Sequence, residues 1–442
     1  MPLLRTFDSR NESLGEIARN IRALTHFDVL EAQGGSAGAA VRDVIAQVRA
    51  RGDQALCEYS LRFDKVELTP EQLRVPADKI EQAARDLDPA LRQAIQLAID
   101  NVRRFQEQIL QRSRPACERP GVQMELRFWP MRRVGVYVPA GSWPLPSTVI
   151  HCVAPAQTAG VKQVVLASPP RSNGEVNATI LAAAYMLGIQ EVYRLGGAQA
   201  IAAMALGTQT IPPVDKLVGP GNIYAQLAKK MLYGVVDIDS FAGPSEVLVV
   251  ADDTARPAFV AADLLAQAEH SPGQAVLVTP SADLVPKVEQ ALEHHLANLA
   301  TALEARQCLK DFAAVVFVRD LNEAAAFAEA YAPEHLQIET KDPRQVAGKI
   351  QSAGAVFLGH WTPESFGDYV AGPSHVLPTG GTARFFSGLS VYDFLRRSAW
   401  MHYDPAGLQA EGPATVRIAE AEGLAAHALA VKVRMDESQR QT

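Results

Sequence analysis

The chain has 442 residues, of which 48% are hydrophobic and 21% are charged. This composition is typical of a folded globular protein of roughly three domains, and it excludes intrinsic disorder for most of the chain. The 42 basic and 49 acidic side chains give a net charge of −7, and the absence of a basic block argues against nucleic acid and membrane surfaces as partners.

The N-terminus and the cysteines bear on the compartment. No apolar run approaches the length of a membrane span, and residues 1–20 lack the apolar core of a secretory signal. Cys57, Cys117, Cys152 and Cys308 lie far apart and form no CxxC pair. This spacing excludes a cysteine-rich zinc site and a disulfide scaffold and predicts reduced thiols. We therefore expect a cytoplasmic protein.

The predicted elements begin as helices and then alternate. Apolar residues at helical spacing predict helices within residues 35–115, at 40–51 and 91–109. From residue 133 short strands alternate with helices, the pattern of a parallel, doubly wound sheet. The first set of predicted strands covers residues 134–138, 161–167, 191–195, 216–218 and 235–238, with helices at 176–187, 198–206 and 223–232.

The alternation then repeats and ends in helix. A second set of strands is predicted at residues 246–250, 275–278, 313–318, 336–338 and 355–358, with helices at 257–270, 284–296, 322–331 and 343–353. After Gly381 the pattern is helical, with a last helix near 414–435. The fold class is therefore α/β, with two doubly wound, Rossmann-like parallel-sheet units and helical N- and C-terminal extensions.

Three glycine loops follow predicted strands, at residues 138–142, 196–200 and 218–222. Taken singly, each is explained as a tight strand-to-helix turn, and none is a GxGxxG motif. Taken together, they favour a small-molecule site, since open α/β sheets bind ligands at the carboxyl edge of the strands.

Polar residues in four further segments could carry chemistry. Gln267 and His270 share a helix face and could hold a metal, or His270 could simply end the helix. Glu334 and His335, at a helix-to-strand junction, could transfer protons near neutral pH. Asp368 and His375 lie in a loop rich in turn formers and could be ligands or substrate contacts, or the loop could simply be capped by its Asp. Glu422 and His427 lie in the last helix, where a solvated helical pair is the alternative.

These segments together resemble the histidinol dehydrogenase family, over about residues 35–432. One such motif is weak, but eight in the same order are specific. The motifs that carry the resemblance are Val134-Gly-Val-Tyr-Val-Pro139, Gly196-Gly-Ala-Gln-Ala200, Val214-Asp-Lys-Leu-Val-Gly-Pro-Gly-Asn222, Ala242-Gly-Pro-Ser-Glu246, Gln267-Ala-Glu-His270, Ala332-Pro-Glu-His335, Gly367-Asp-Tyr369 and His375-Val-Leu-Pro-Thr379.

The resemblance implies a role for each matching residue. One zinc ion per subunit is expected on Gln267, His270, Asp368 and His427, with His427 supplied by the partner of a domain-swapped homodimer. Glu334 and His335 match the proton-transfer pair. Tyr137, Gln199 and Asn222 match contacts to NAD. Substrate contacts are expected from Ser245, His375 and Glu422, together with His335 and the four metal ligands.

The implied reaction is the oxidation of L-histidinol to L-histidine through L-histidinal, in two hydride transfers to NAD during histidine biosynthesis. Three positions depart from the family pattern: Ala140, Gln157 and Ser374 stand where Gly, Lys or Arg, and Asn are expected. A relative that oxidises another polar alcohol, such as a sulfonated diol, is therefore the alternative. A non-catalytic binding protein would have no need of a base beside a metal.

The resemblance also suggests domain limits. We predict an N-terminal helical extension at residues 1–32 and a main α/β domain at 33–135 plus 247–385 that carries the metal and catalytic residues. An inserted Rossmann-like NAD domain is predicted at 136–246, and a C-terminal helical dimerisation tail at 386–442.

Overall fold

The computed structural model describes residues 3–25, 33–140, 144–270 and 272–440. The chain divides into two compact units. The first unit comprises Met1–Ile109 and Arg132–Phe394, and the second comprises Leu110–Met131 and Leu395–Thr442. The predicted domain limits do not follow this division and stay a prediction.

The helices of the described residues are α1 Leu14–Ala23, α2 Ser36–Arg51, α3 Asp53–Tyr59, α4 Ala77–Arg85, α5 Pro89–Ile109, α6 Pro146–Thr158, α7 Ala178–Met186, α8 Gly197–Leu206, α9 Ile223–Leu232, α10 Pro257–Ala268, α11 Leu284–Leu296, α12 Ala302–Phe312, α13 Leu321–Tyr331, α14 Pro343–Ala347, α15 Ser365–Tyr369, α16 Pro405–Ala421 and α17 Ala425–Arg440. A π-helical turn covers Ser60–Asp64, and 3₁₀ turns cover Pro70–Gln72, Thr382–Arg384 and Val391–Phe394.

The strands are β1 Arg5–Asp8, β2 Arg114–Arg119, β3 Val122–Pro130, β4 Arg133–Tyr137, β5 Gln163–Ser168, β6 Val192–Arg194, β7 Lys216–Val218, β8 Asp237–Ile238, β9 Ser245–Ala251, β10 Gly273–Thr279, β11 Ala314–Phe317, β12 His335–Glu339, β13 Ala355–Leu358 and β14 Leu395–Tyr403. Each predicted strand is present, with small shifts at its ends.

Two parallel sheets form the first unit, which confirms the predicted α/β class. The five-stranded sheet has the order β6-β5-β4-β7-β8, and the six-stranded sheet has the order β1-β11-β10-β9-β12-β13. Within the latter, β9 lies between β10 and β12, with Ser245 opposite Gly273 and Val247 opposite His335. This register brings the starts of β9, β10 and β12 together at one edge.

Helices cover both faces of the six-stranded sheet. Val247 and Val249 of β9 pack into a core with α10, α11 and α12, whereas Leu248 and Val250 pack into a second core with α1, α13 and α14. Strands buried on both faces are nearly continuously apolar, as is usual for parallel sheets. The five-stranded sheet buries one face against α2, α8 and α9 in the same way.

The second unit and several elements differ from the sequence-based expectation. In the second unit β2, β3 and β14 form an antiparallel sheet, although we expected only helix after Gly381. The expected last helix is two helices, α16 and α17. Strand β1 and helices α6 and α12 were not predicted, and α10 and α14 end at Ala268 and Ala347, earlier than expected. No helix of the described ranges is long and apolar enough to cross a membrane.

A buried ion pair shapes the turn after β7. The Lys229 ammonium pairs with Asp239, and their side chains are only 2% and 4% exposed. Lys229 Nζ also donates to the Gly219 carbonyl at 3.0 Å, while Asp239 Oδ2 accepts from the Gly219 N–H at 2.7 Å. The pair therefore holds both backbone groups of Gly219. Gly219 has a φ of +114°, and a Cβ there would lie 2.2 Å from the Tyr137 carbonyl oxygen.

We expect Lys229→Met to lower the free energy of unfolding by about 3 kcal/mol, because it leaves the buried Asp239 carboxylate without its cation. Chemical denaturation would measure the loss. Arg306→Ala is the control, since it breaks the exposed pair with Glu293 and should cost less than about 1 kcal/mol. Equal losses in the two variants would contradict the importance of the buried pair.

Candidate active site

A cavity of about 180 Å³ lies where the carboxyl edge of the five-stranded sheet meets the amino edge of the six-stranded sheet. The site predicted at the carboxyl edge of the five-stranded sheet therefore accounts for only one side of this cavity. Loop 218–222 contributes Gly219 and Pro220, whereas Gly141 and Ser142 of loop 138–142 lie outside the described residues. Of the sequence-predicted residues, the cavity is lined by Ser245, Gln267, His270, Glu334, His335, Asp368 and His375.

The backbone of Glu246 holds the predicted proton-transfer pair. His335 Nδ1 lies 3.0 Å from the Glu246 carbonyl oxygen, so Nδ1–H donates to this oxygen and Nε2 is the nitrogen available for proton transfer. Glu334 Oε2 accepts from the Glu246 N–H at 2.8 Å and from Ser245 Oγ at 2.7 Å. One residue of β9 therefore orients both side chains, although they are neighbours on an extended chain.

The electrostatics of the pair are those of a buried imidazolium between two acids. Burial alone would lower the pKa of His335, but the charges of Glu334 and Asp368 outweigh it and raise that pKa to about 10. Burial also opposes ionisation of Asp368, yet its contact with His335 holds the pKa of the carboxyl below its usual value. His335 Nε2 is 3.6 Å from Asp368 Oδ1. In the free site, Asp368 is therefore ionised and His335 carries the proton.

Three of the four predicted metal ligands share this cavity. Gln267 lies near the end of α10, with a buried Nε2 that has no hydrogen-bond partner and an Oε1 that lies 3.4 Å from Ser245 Oγ. His270 follows the same helix and is exposed, and Asp368 lies on α15. An amide oxygen, an imidazole and an ionised carboxylate suit zinc or a similar divalent ion.

The fourth predicted ligand belongs to the second unit. His427 lies on α17, and Glu422 lies in the turn between α16 and α17; both side chains are exposed. Within the described residues, no group of three or more His, Cys, Asp or Glu side chains is arranged to hold a metal ion. The metal site, with His427 as its fourth ligand, stays a prediction.

His375 is fixed by contacts that sequence reasoning missed. Its Nε2 lies 3.2 Å from Thr148 Oγ1, and its Nδ1 lies 3.2 Å from the Asp368 carbonyl oxygen. The ring stacks on the buried His151, with centroids 4.5 Å apart. Burial lowers the pKa of His375, so its neutral form is favoured. Nothing local in the sequence marks His151 or Thr148 as its partners.

The three predicted NAD residues lie around the carboxyl edge of the five-stranded sheet. The Tyr137 hydroxyl accepts from the Gly197 N–H at 3.0 Å, and Asn222 caps α9 by accepting from the Ala225 N–H at 3.1 Å. Gln199 is buried within α8. These bonds give Tyr137 and Asn222 a structural task, and their contact with a cofactor stays a prediction.

Two of the three departures from the family pattern also have structural tasks. Gln157 accepts from Arg103 at 3.1 Å and donates to the Leu187 carbonyl at 2.6 Å. The Ser374 hydroxyl donates to the His151 carbonyl at 3.0 Å. Both side chains are therefore engaged within the protein, while nothing in the structure explains Ala140.

Sequence reasoning also missed Glu246 as a component of the site. Its carboxylate is buried, with Oε1 accepting from the Gly380 N–H at 2.9 Å and Oε2 unpartnered. Burial, and then the charge of Glu334, raise its pKa to about 7, against the favourable charge of Arg22. Motif 242–246 contains Glu246, but only the fold shows that its side chain points into the protein.

This shift predicts a pH-dependent stability. Because of its raised pKa, Glu246 keeps its proton up to about pH 7 in the folded protein, whereas the unfolded chain releases it near pH 4.5. The protonated side chain therefore adds to the free energy of unfolding at low pH, and this contribution is lost as the pH rises between these two values. In the wild-type protein the free energy of unfolding should decline by on the order of 3 kcal/mol between pH 4.5 and 8, and Glu246→Gln should remove this decline. Denaturation curves over that range would measure it, and parallel pH profiles for the two proteins would contradict it.

Comparisons with known proteins give matches over nearly the whole chain. A family model described as histidinol dehydrogenase matches residues 31–435. A histidinol dehydrogenase of Rhodopirellula baltica is 44% identical, covering 98% of both chains. One from Caulobacter vibrioides is 46% identical, covering 90% of this chain and 92% of its own. The crystal structure of histidinol dehydrogenase from Elizabethkingia anophelis superposes with a TM-score of 0.92 at 37% identity, covering 99% of each chain.

Proposed function

The chain belongs to the histidinol dehydrogenase family, and on this basis we propose that it oxidises L-histidinol to L-histidine through L-histidinal. The observation that carries the proposal is the Glu334–His335 pair, which the Glu246 backbone holds beside Asp368 and Gln267 in one cavity. A dehydrogenase that works on an alcohol needs a base beside the reacting hydroxyl, and His335 Nε2 is the group placed to serve.

The cofactor and metal follow from the donor sets. NAD, when bound, supplies the hydride acceptor for each of the two oxidations. Zinc, when bound to Gln267, His270 and Asp368 with His427 of the partner subunit, supplies a positive charge that orients the substrate's imidazole and amine. A homodimer that shares its sites is thus part of the proposal. The ionised Asp368, which lines one cavity with Gln267 and His270, supports this assignment.

The protein's own residues would then move the protons. Asp368 stabilises the charged His335 in the free site, and His335 in its neutral form would be the base. Its Nε2 then removes the alcohol proton in the first oxidation, while Nδ1–H remains on the Glu246 carbonyl. Glu334, with Ser245 and the Glu246 N–H on Oε2, activates the water that adds to the aldehyde. His375 and Glu422 would contact the substrate.

The first measurement is the number of NADH molecules formed per L-histidinol consumed, with added zinc at slightly alkaline pH. We expect two, with histidine as product. His335→Asn should lower the rate at least about 100-fold, as expected for a lost general base, with substrate binding retained in calorimetry. Absence of turnover in folded, metal-loaded protein would direct the search to another polar alcohol.

The shared metal site makes a separate prediction. EDTA should abolish activity and zinc or manganese restore it, whereas full activity in metal-free protein would contradict a metal role. His427→Ala and Asp368→Ala should each lower the zinc content. After subunit exchange, hybrids of the two variants should recover about a quarter of the wild-type sites, since half of the random dimers are hybrids with one intact site of two. No recovery after confirmed exchange would contradict a site shared between subunits.

A further inference from the structure

Strand β12 buries polar side chains where its neighbour buries apolar ones. His335, Gln337 and Glu339 alternate along the strand and are 4%, 1% and 0% exposed. The alternate residues Leu336 and Ile338 pack in the core beside α13. The opposing strand β9 is apolar from Val247 to Ala251. One face of a central strand is therefore polar from end to end, an arrangement that burial penalises.

Polar groups of two other elements are close to this face. Asp263 of α10 is close enough to Glu339 for its charge to act on that carboxyl. Burial first, and then the Asp263 charge, raise the pKa of Glu339 to about 9. Glu364 is buried and close enough to His335 and Asp263 for both charges to act on its carboxyl. His360 Nδ1 lies 3.6 Å from Glu339 Oε2. We call the set His335, Gln337, Glu339, Asp263, Glu364 and His360 the polar column.

Many buried atoms along the polar column have no hydrogen-bond partner. An unsatisfied buried polar group costs about 1–3 kcal/mol, and internal water is what usually satisfies it. The unpartnered atoms are His335 Nε2, Gln337 Oε1, both carboxyl oxygens of Glu339, Glu364 Oε2 and His360 Nδ1.

The polar column extends from the active site towards a partly exposed residue. It starts at His335 in the cavity and ends at His360, whose side chain is 22% exposed. Four residues of strand at about 3.3 Å each separate the Cα atoms of His335 and Glu339 by roughly 13 Å. Water molecules about 2.8 Å apart would span this distance in about five steps, each beside an unpartnered polar atom.

We propose that the polar column is a water passage that supplies the second oxidation of the active site from the far edge of the six-stranded sheet. This inference rests on the proposed function, in which an aldehyde takes up one water. The water oxygen forms a bond to the aldehyde carbon while one water proton passes to the Glu334–His335 pair, and the π pair of the carbonyl moves onto its oxygen, which takes that proton back from the pair to give the hydrate. The hydrate then gives its hydride to NAD and a proton to the same pair.

A separate route is needed because the cavity itself becomes filled. Glu334 and His335 are only 7% and 4% exposed before any ligand is present. Substrate and cofactor enter from the cavity and expel its water, as active-site closure does generally. A water bound behind β12 stays available to the aldehyde, because the polar column reaches His335 from within the protein.

The test separates the two oxidations. Gln337→Leu fills the middle of the polar column with an apolar side chain of similar size, and Ile338→Val on the opposite face of β12 is the matched control. We expect Gln337→Leu to slow the oxidation of added L-histidinal about tenfold, whereas single-turnover oxidation of L-histidinol to the aldehyde stays within about twofold, since only the second step consumes the bound water. NADH per histidinol should fall from two towards one.

Gln337→Met provides a second test should Gln337→Leu fail to fold, because it removes the unpartnered amide oxygen and leaves an unbranched side chain of similar length. It should slow the second oxidation alone, by about threefold, as the loss of one water-binding group would. Equal slowing of both oxidations, or no slowing of either, overturns the water passage. A wild-type protein that forms no NADH from L-histidinol overturns the proposed function instead.

Discussion

The backbone of Glu246 is the constraint on which the candidate active site depends. Its N–H orients Glu334 and its carbonyl orients His335. Both bonds exist only because β9 and β12 pair in parallel with Val247 opposite His335. A shift of this register by one residue would turn His335 to the other face of the sheet, where Leu336 now packs. The hydrophobic cores on the two faces therefore fix the geometry of the candidate site, because they fix the register.

The site also depends on the meeting of two unlike sheet edges. The five-stranded sheet offers glycine turns at its carboxyl edge, where backbone can approach a ligand closely. The six-stranded sheet offers side chains at the starts of its strands. The buried Lys229–Asp239 pair holds Gly219 on the first side, and Glu246 holds the acid–base pair on the other. Each side is thus rigid before ligand binding, which favours precise placement of reacting groups.

The sequence predicts most of the parallel sheets because their strands are buried on both faces. Residues 275–278, for example, are a short apolar run, and the fully buried strand β10 lies there. The signal disappears where burial is incomplete. Strand β2 is exposed along its whole length and β14 nearly so, and β1 carries charges at both ends. Such strands owe their pairing to neighbours distant in the chain, which local periodicity does not reveal.

The same distinction applies to the candidate site. Glu334, His335 and Asp368 lie at element ends marked by turn residues, so their segments stand out in the sequence. Glu246 and Glu364 carry no such mark, and their partners lie far away, as the 88-residue separation of Glu246 and Glu334 illustrates. Whether a charged residue of a strand points inward depends on packing, and packing is a property of the whole fold.

Strand β12 shows why polar residues inside a parallel sheet point to chemistry. Burial of an apolar side chain of this size contributes about 2 kcal/mol, and β12 forgoes that gain at Gln337 and Glu339, whose unpartnered atoms add a desolvation cost. The fold tolerates this because Leu336 and Ile338 still anchor the strand in the opposite core. A purely structural strand has no reason to keep such a face. A reaction that consumes water would explain why a polar face leads from His335 towards the surface.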